Sequence, residues 1–449
     1  MRNKFFGNVS AIMYSQFNKI LPYTVFDELD LHYKDFTRLP LALLTCTARK
    51  VNLENCRKLV SLKRLPKGVK ELDCSHCWCL NSLKGLRKGL EWFDCSNTKI
   101  ASLKGLPEGL KVLCCRDTYI TSFEGVPESV EVLDCGFSNF LTSLKGLPKG
   151  LKKLGCFGAK ITSLEGLPEG LIELDCGGLD ITSFEGIPKS LKVLSFRHMK
   201  ASSLESIPEG VEVLDFGWST PLASLKGCPK SVKRIIIHES GFFSSFKGCS
   251  EGVKEIFCPL CNRLTSFEGL PERLEKLACR GSSITSLEGL PKGLKELDCG
   301  GTKITSLEGL PRGLKKLNCN NTKITTLKGI PKSLKRIGCG WSDSLISLEG
   351  LPKEIEEVYC YGSDNLKYIP DYIPNEVIIG LSEREIATCK ANWKKEQEKK
   401  RAAENKKEEI TRRFMRRDYG HISQKAESKQ PRTGNVNSIV VAHGAHITK

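Results

Sequence analysis

Two short motifs hold the residue types of metal and thiol chemistry. Cys74, Cys77 and Cys79 lie in CSHCWC, and Cys258 with Cys261 lies in CPLC. Cys-x-x-Cys is the spacing of zinc ligands and of dithiol redox centres. A structural zinc needs four converging ligands, and a redox pair of this kind sits in a thioredoxin-like βαβ unit. Neither setting surrounds these motifs. The seven histidines (His32, His76, His198, His238, His421, His443 and His446) fall in no nucleophile motif, phosphate-binding glycine loop or zinc-protease helix. The expectation is a non-enzymatic protein with no catalytic residue, no metal site and no cofactor.

What places these residues is a repeat. The stretch Leu294 to Pro311, LKELDCGGTKITSLEGLP, recurs with variations from about residue 26 to about residue 380. Successive units are 20 to 22 residues apart and number about 18. Leu297 and Cys299 are two apart, so they share one face of a short strand, and strands one unit apart stack in parallel about 4.8 Å from each other. The Thr302 hydroxyl can hold the turning backbone. Ile304 and Leu307 return to the core, Gly309 permits an unusual backbone angle, and Pro311 fixes an extended return limb. A unit this short has no room for a full helix on its outer side, so that limb is expected to be extended or 3-10.

The repeat changes the meaning of the cysteines. Twelve of the 21 (Cys74, Cys95, Cys115, Cys135, Cys156, Cys176, Cys258, Cys279, Cys299, Cys319, Cys339 and Cys360) occupy one slot. A small apolar thiol repeated at one slot is core packing. Cys77 and Cys261 fall near the turn slot where small polar residues recur. A stack of free thiols suits a reducing, cytoplasmic compartment. No run reaches the ~20 apolar residues of a membrane helix.

This pattern resembles the leucine-rich-repeat family, in particular the short bacterial class of secreted effectors of the YopM and IpaH kind. Leu290, Pro291, Leu294, Leu297 and Cys299 match that unit, with Cys in place of Val and Thr302 in place of Asn. The resemblance covers roughly four-fifths of the chain. It implies a right-handed parallel β solenoid, a monomer that binds protein partners, and an effector of a host-associated microbe that is secreted into a host cell. IpaH-type effectors carry a C-terminal ubiquitin-ligase domain. Here the repeats are followed by about 70 residues whose sole cysteine is Cys389 in ATCKAN, so the ligase activity does not carry over.

The flanks differ in composition. Residues 1–25 are expected to cap the open end of the array, residues 381–417 to form a basic helix, and residues 418–449 to be disordered. Ile386, Cys389 and Trp393 fall on one helical face and would close the far end. The chain carries a net charge of +17. A solvated Lys/Glu surface accounts for most of it, and the helix supplies a basic patch in Lys399, Lys400, Arg401, Arg412, Arg413, Arg416 and Arg417. Two alternatives attach to the flanks. The tail could serve nuclear targeting or nucleic-acid binding, and Leu21 to Arg49 faintly resembles an F-box adaptor helix set.

Function is expected where units depart from consensus. Outward strand positions form columns along the sheet. In one column Asp recurs at Asp73, Asp94, Asp134, Asp175, Asp215 and Asp298, which fits residues accepting from neighbouring backbone. Between residues 196 and 260 the outward slots hold Arg197, His198, Trp218, Ile236, His238 and Phe257 instead of small residues. Aromatics with Arg are what interface hot spots use, so these six are the expected partner-binding residues. The competing reading is drift in the middle of an array.

Overall fold

Most units spend three residues on a strand, the x-Leu-x segment just ahead of the cysteine, because that segment has a neighbour to pair with on both sides. The computed structural model describes residues 25–427, with side chains described as far as residue 413. Eighteen strands, β1 (Val25–Asp30) to β18 (Ile378–Ile379), pair in chain order, every pair parallel, in one continuous sheet. Leu297 pairs with Leu277 on one side and Leu317 on the other, and this register repeats unit after unit. The central residue of each strand faces the core and the two flanking it face outward, as in Glu296, Leu297 and Asp298.

The slots behave as their chemistry dictates. All twelve core-slot cysteines are fully buried. Thr302 Oγ1 donates to Cys299 O at 2.7 Å, and Thr98, Thr118 and Thr322 make the same bond three residues back. Cys77 sits in this threonine slot and donates to Leu53 O at 3.1 Å. Both cysteines of C74-S-H-C77 are therefore explained by packing and a turn bond. Among the described residues no three His, Cys, Asp or Glu side chains are grouped to hold a metal ion. The outer limb is extended and turn-like. Among the described residues 3-10 structure is confined to Leu41–Thr45 and Asn375–Val377. Gly309 has φ of 93°, and a Cβ there would meet Leu287 O at 3.0 Å, so glycine is required where one turn passes close over the last.

Lys and Glu in the outward columns pair across turns instead of along them. Lys70–Glu91, Lys111–Glu131, Lys295–Glu275 and Lys316–Glu296 are ion pairs of 2.6 to 2.9 Å between residues 20 or 21 apart. Such exposed pairs add little singly, but they neutralise a basic chain locally.

The array closes on α1 (Glu383–Glu427). Ser382 and Glu385 form a reciprocal capping box, with Ser382 N donating to Glu385 Oε2 at 2.7 Å and Glu385 N donating to Ser382 Oγ at 3.3 Å. Ile386 and Cys389 are buried against the last turn, Trp393 is half-buried, and Lys390 Nζ donates to Ile373 O at 2.6 Å. From Lys399 to Arg413 every side chain is exposed. The helix continues through Asp418–Glu427, where irregular chain was expected. A lone Gly420 costs about 1 kcal/mol, too little to stop a nucleated helix. No described helix is long and apolar enough to cross a membrane.

At the other end, β1 and β2 (Thr47–Asn52) pair as ordinary solenoid strands joined through Leu41–Thr45. The F-box alternative needs helices there and loses its basis over residues 25–49. The expected cap over residues 1–24, the tail beyond 427 and the side chains of Arg416 and Arg417 lie outside the described residues.

Burial sets thiol reactivity. Cys79 is exposed, Cys114, Cys228 and Cys249 are half-buried, and the other 17 are buried. Burial raises the Cys114 thiol to about 12 and the Cys228 thiol to about 11. The thiolate is the reactive form, so a thiol-specific reagent on native protein at pH 8 is expected to label one cysteine rapidly, Cys79. The full complement should react only in denaturant. Rapid labelling of many cysteines in the native state would contradict the buried ladder.

Candidate partner-binding surface

The Asp column shows what an ordinary unit does with its outward face. Asp73, Asp94, Asp134, Asp175 and Asp298 each accept, through Oδ1, a hydrogen bond of 2.8 to 3.1 Å from the backbone N–H two residues on. Asn52 and Asn318 do the same. These side chains are turn caps. The Asp94 carboxyl is pushed up by burial, though its Ser96 bonds oppose the shift.

Asp215 breaks the rule. Its strand β10 (Val213–Gly217) and the next, β11 (Arg234–His238), run five residues where most of the array has three. Gly217 pairs with His238 in this extension, which puts the turn at Trp218 and Ser219, and among the described residues no backbone N–H donates to Asp215. Gly217 has φ of 129°, and a Cβ there would strike His238 backbone. The carboxylate of Asp215 is thereby released. His238 Nε2 lies 3.0 Å from its Oδ1, off the line of a hydrogen bond, and Arg197 Nε lies 4.0 Å from Oδ2. Burial raises the Asp215 carboxyl, with His238 and Arg197 opposing.

Five buried side-chain polar atoms lack a hydrogen-bond partner among the described residues, and three of them meet here: Ser195 Oγ, Arg197 Nε and Asp215 Oδ1. Ser195 ends β9 (Val193–Ser195) and lies in register between Asp175 and Asp215. Arg197 also donates through Nη2 to Asp175 Oδ2 at 3.4 Å.

The six expected residues do not form one patch of a single kind. Ile236, His238 and Phe257 are strand positions that face outward from the sheet, and Arg197 lies in the turn just past β9. His198 and Trp218 sit just past the sheet, in a turn slot with φ of 59° and 51°. That slot takes Gly at 158, 178, 281 and 301, Asn at 97 and 321, and also His76, Asp117, Phe137 and Leu260, all with positive φ. A bulky side chain there is strained, and these two rings repay it by stacking. His198 and Trp218 are 4.8 Å apart and Trp218 and His238 are 5.1 Å apart, both stacked. Arg197 lies over the Trp218 ring at 5.4 Å and Arg234 over Phe257 at 4.9 Å. The rings sequence reasoning left without a packing duty thus pack on one another.

A second feature was missed. A shallow concavity of about 640 Å³ opens on the same face toward the C-terminus, from Phe257 through Lys276, Asn318 and Arg336 to Tyr359 and Tyr361. Of the six expected residues only Phe257 borders it. Trp341 stacks on Tyr361 at 6.1 Å, again from the positive-φ slot. Aligning that slot across units and looking for rings where Gly or Asn prevails would have found both stacks.

Orphaned buried groups cost about 1–3 kcal/mol each. Ser195→Ala should therefore raise the unfolding free energy by roughly 1 kcal/mol. The Asp215 carboxyl, raised on folding, contributes stability below the unfolded carboxylate value and loses it as pH rises through the folded one. Asp215→Asn should accordingly stabilise the protein at pH 7, and the gain should vanish near pH 3. Urea titrations at the two pH values check both; destabilisation by either variant at pH 7 would show the groups to be satisfied.

No family model and no curated protein matches the chain. Solved structures do. YopM from Yersinia enterocolitica WA-314 superposes with a TM-score of 0.55 at 21% identity, over 82% of this chain and 88% of that one. The functional domain of InlJ from Listeria monocytogenes, which includes a cysteine ladder, gives 0.46 at 18% identity, over 70% of this chain and 72% of that one. With parallel strands in unbroken register and Leu and Cys at the core slots, the fold shared with YopM is that of a leucine-rich-repeat solenoid, and this chain is one.

Proposed function

We propose that the protein is a recognition scaffold that binds a protein partner on the outward face of its sheet, centred on residues 197 to 257. The observation that carries this reading is the released Asp215 beside the His198–Trp218–His238 stack. A ring in a strained slot and buried polar atoms of Ser195 and Arg197 without hydrogen-bond partners are costly together in an isolated protein, and a partner would relieve them. The wider surface supports the same reading, since the concavity beyond Phe257 offers tyrosines and paired charges rather than a converging catalytic set. The long exposed helix α1 serves as a solvated arm in this reading.

The test is capture of partners from the native cell by the full chain, then the same capture with Trp218→Ala and Phe257→Ala. Loss of a specific partner from both variants is expected. Retention of every partner would place binding elsewhere, and loss only on removal of residues 390–417 would move the function to the helix.

A further inference from the structure

We infer that the rim of the sheet at Arg312, Lys315 and Lys332 docks an acidic segment of a protein partner. This deepens the reading of the face as protein-binding and rests on it.

One column carries the argument. It holds the residue two ahead of each strand's central core position, from Lys70 to Glu356. Consecutive members are joined by backbone hydrogen bonds between turns, as in Lys315 N to Lys295 O and Lys335 N to Lys315 O, both 2.8 Å. The column mostly alternates in sign. Lys70, Glu91, Lys111 and Glu131 follow one another, and Lys192, Glu212 and Lys233 do the same. Alternation sets opposite charges on turns about 4.8 Å apart, where like charges would repel. One run of three like charges interrupts it, at Lys295, Lys315 and Lys335. Lys295 and Lys335 find Glu275 at 2.7 Å and Glu356 at 3.4 Å on their far sides. Lys315 stands between the two lysines, and among the described residues no carboxylate pairs with it.

The neighbouring positions add to this charge instead of offsetting it. Arg312 and Lys332 are exposed in the turns ahead of β15 (Lys316–Asn318) and β16 (Arg336–Gly338). Those turns adjoin, since Ser333 Oγ donates to Arg312 O at 2.7 Å. The unit from Pro311 to Ile330 holds five basic residues and no acidic one, and among the described residues only Lys316 of the five meets a carboxylate, Glu296 at 2.8 Å. The opposite imbalance, five acidic residues and no basic one from Pro168 to Ile187, is met by the units beside it through Lys153–Glu173 and Lys200–Asp180. The excess at the rim has no such answer within the described array, so the complementary anion is that of a partner.

Its form follows from the extent of the strip. The unpaired cations lie on two adjacent turns, a span of roughly 5–10 Å that matches two or three carboxylates of an extended segment. That is short of the roughly six to ten phosphate contacts over which nucleic acid is commonly held. Base stacking also needs ring faces beside the cations. Trp341 lies past the other end of β16, already stacked on Tyr361. Lys316 and Arg336, next along each strand, line the concavity of about 640 Å³, which gives the rest of the segment room to lie.

The probe is hexaglutamate peptide, titrated calorimetrically against the full chain, with an oligothymidylate of similar charge alongside. Saturable binding of hexaglutamate is expected, weakened about tenfold by Lys315→Glu and abolished when Arg312→Glu and Lys332→Glu are added. Lys315→Glu restores the alternation of sign, so the same variant should raise the urea midpoint, which loss of binding through misfolding would lower. Lys395→Glu/Lys399→Glu/Lys406→Glu on the exposed helix α1 reverses as many charges as the triple rim variant and should leave binding within about twofold of wild type. No saturable binding, equal loss in the α1 variant, or a lowered urea midpoint in Lys315→Glu would each overturn the assignment. Tighter binding of oligothymidylate that Lys315→Glu removes would overturn it in favour of nucleic acid. Capture of partners from cells separates the two levels. If Trp218→Ala abolishes capture and Lys315→Glu does not, the binding face stands and the acidic-segment site falls. If Lys315→Glu abolishes it and Trp218→Ala does not, the rim stands and the centre at residues 197 to 257 falls.

Discussion

Gly217→Ala is expected to destabilise the protein by about 3 kcal/mol or more, a large effect for one methyl group. Two costs combine. The φ of 129° lies where only glycine rests without strain, and the added Cβ would meet His238 N at 2.5 Å and His238 C at 2.7 Å, closer than any real contact. His238 belongs to the paired strand, so relief requires parting β10 from β11 at their last rung. The damage should reach the surface as well. His238 would move from Asp215 and Trp218, and the freed Gly217 N–H could turn back to Asp215 as in the ordinary units. The comparison is Gly313→Ala, where a Cβ finds its nearest neighbour at 4.0 Å and φ is unexceptional. That variant should unfold within about 0.5 kcal/mol of wild type. Because repeats unfold piecewise, hydrogen exchange across residues 213–238 is the sharper readout. Exchange unchanged there in Gly217→Ala would mean that the extended pairing does not form.

Trp218→Ala should weaken partner binding by at least about 2 kcal/mol, or roughly 30-fold, while changing stability much less. The ring is half-buried between His198 and His238, under Arg197, at the centre of the expected surface. A residue so placed loses contact area on truncation and unseats its neighbours. Its own fold lies outside the core, whose nearest aromatic layer is Phe196 stacked on Phe216 at 5.1 Å. Trp341→Ala is the informative partner experiment. Trp341 occupies the same positive-φ slot beside the C-terminal concavity, stacked on Tyr361. If Trp341→Ala removes the partner and Trp218→Ala does not, the concavity is the binding surface and the Asp215 region is not.

The two experiments read different levels of one arrangement. Gly217 is local backbone geometry that lengthens two strands. Trp218 and Asp215 are what that lengthening leaves uncovered. A departure of a few residues from the repeat, repeated nowhere else in the described array at this length apart from β1 and β2, turns Asp215 from a turn cap into the partner of His238 and Arg197.

The sequence by itself determined the solenoid, because its period is local. Leu297 and Cys299 two apart, Gly309 and Pro311 at fixed offsets, and the same offsets in the next unit leave no other way to bury the apolar slots than stacking in register. It also settled that Cys74 and Cys77 sit in separate slots. The tertiary structure alone decided what happens between units. Whether Asp215 caps its turn depends on the length of pairing with a strand 21 residues away, and whether Lys70 meets Glu91 depends on register across turns. His198 and Trp218 look like outward strand residues in a linear reading, yet they lie in the turn beyond because the sheet ends there. The physical reason is common to all three. Core slots are fixed by burial, which every unit repeats, whereas surface contacts are fixed by distances between units, which no single unit encodes.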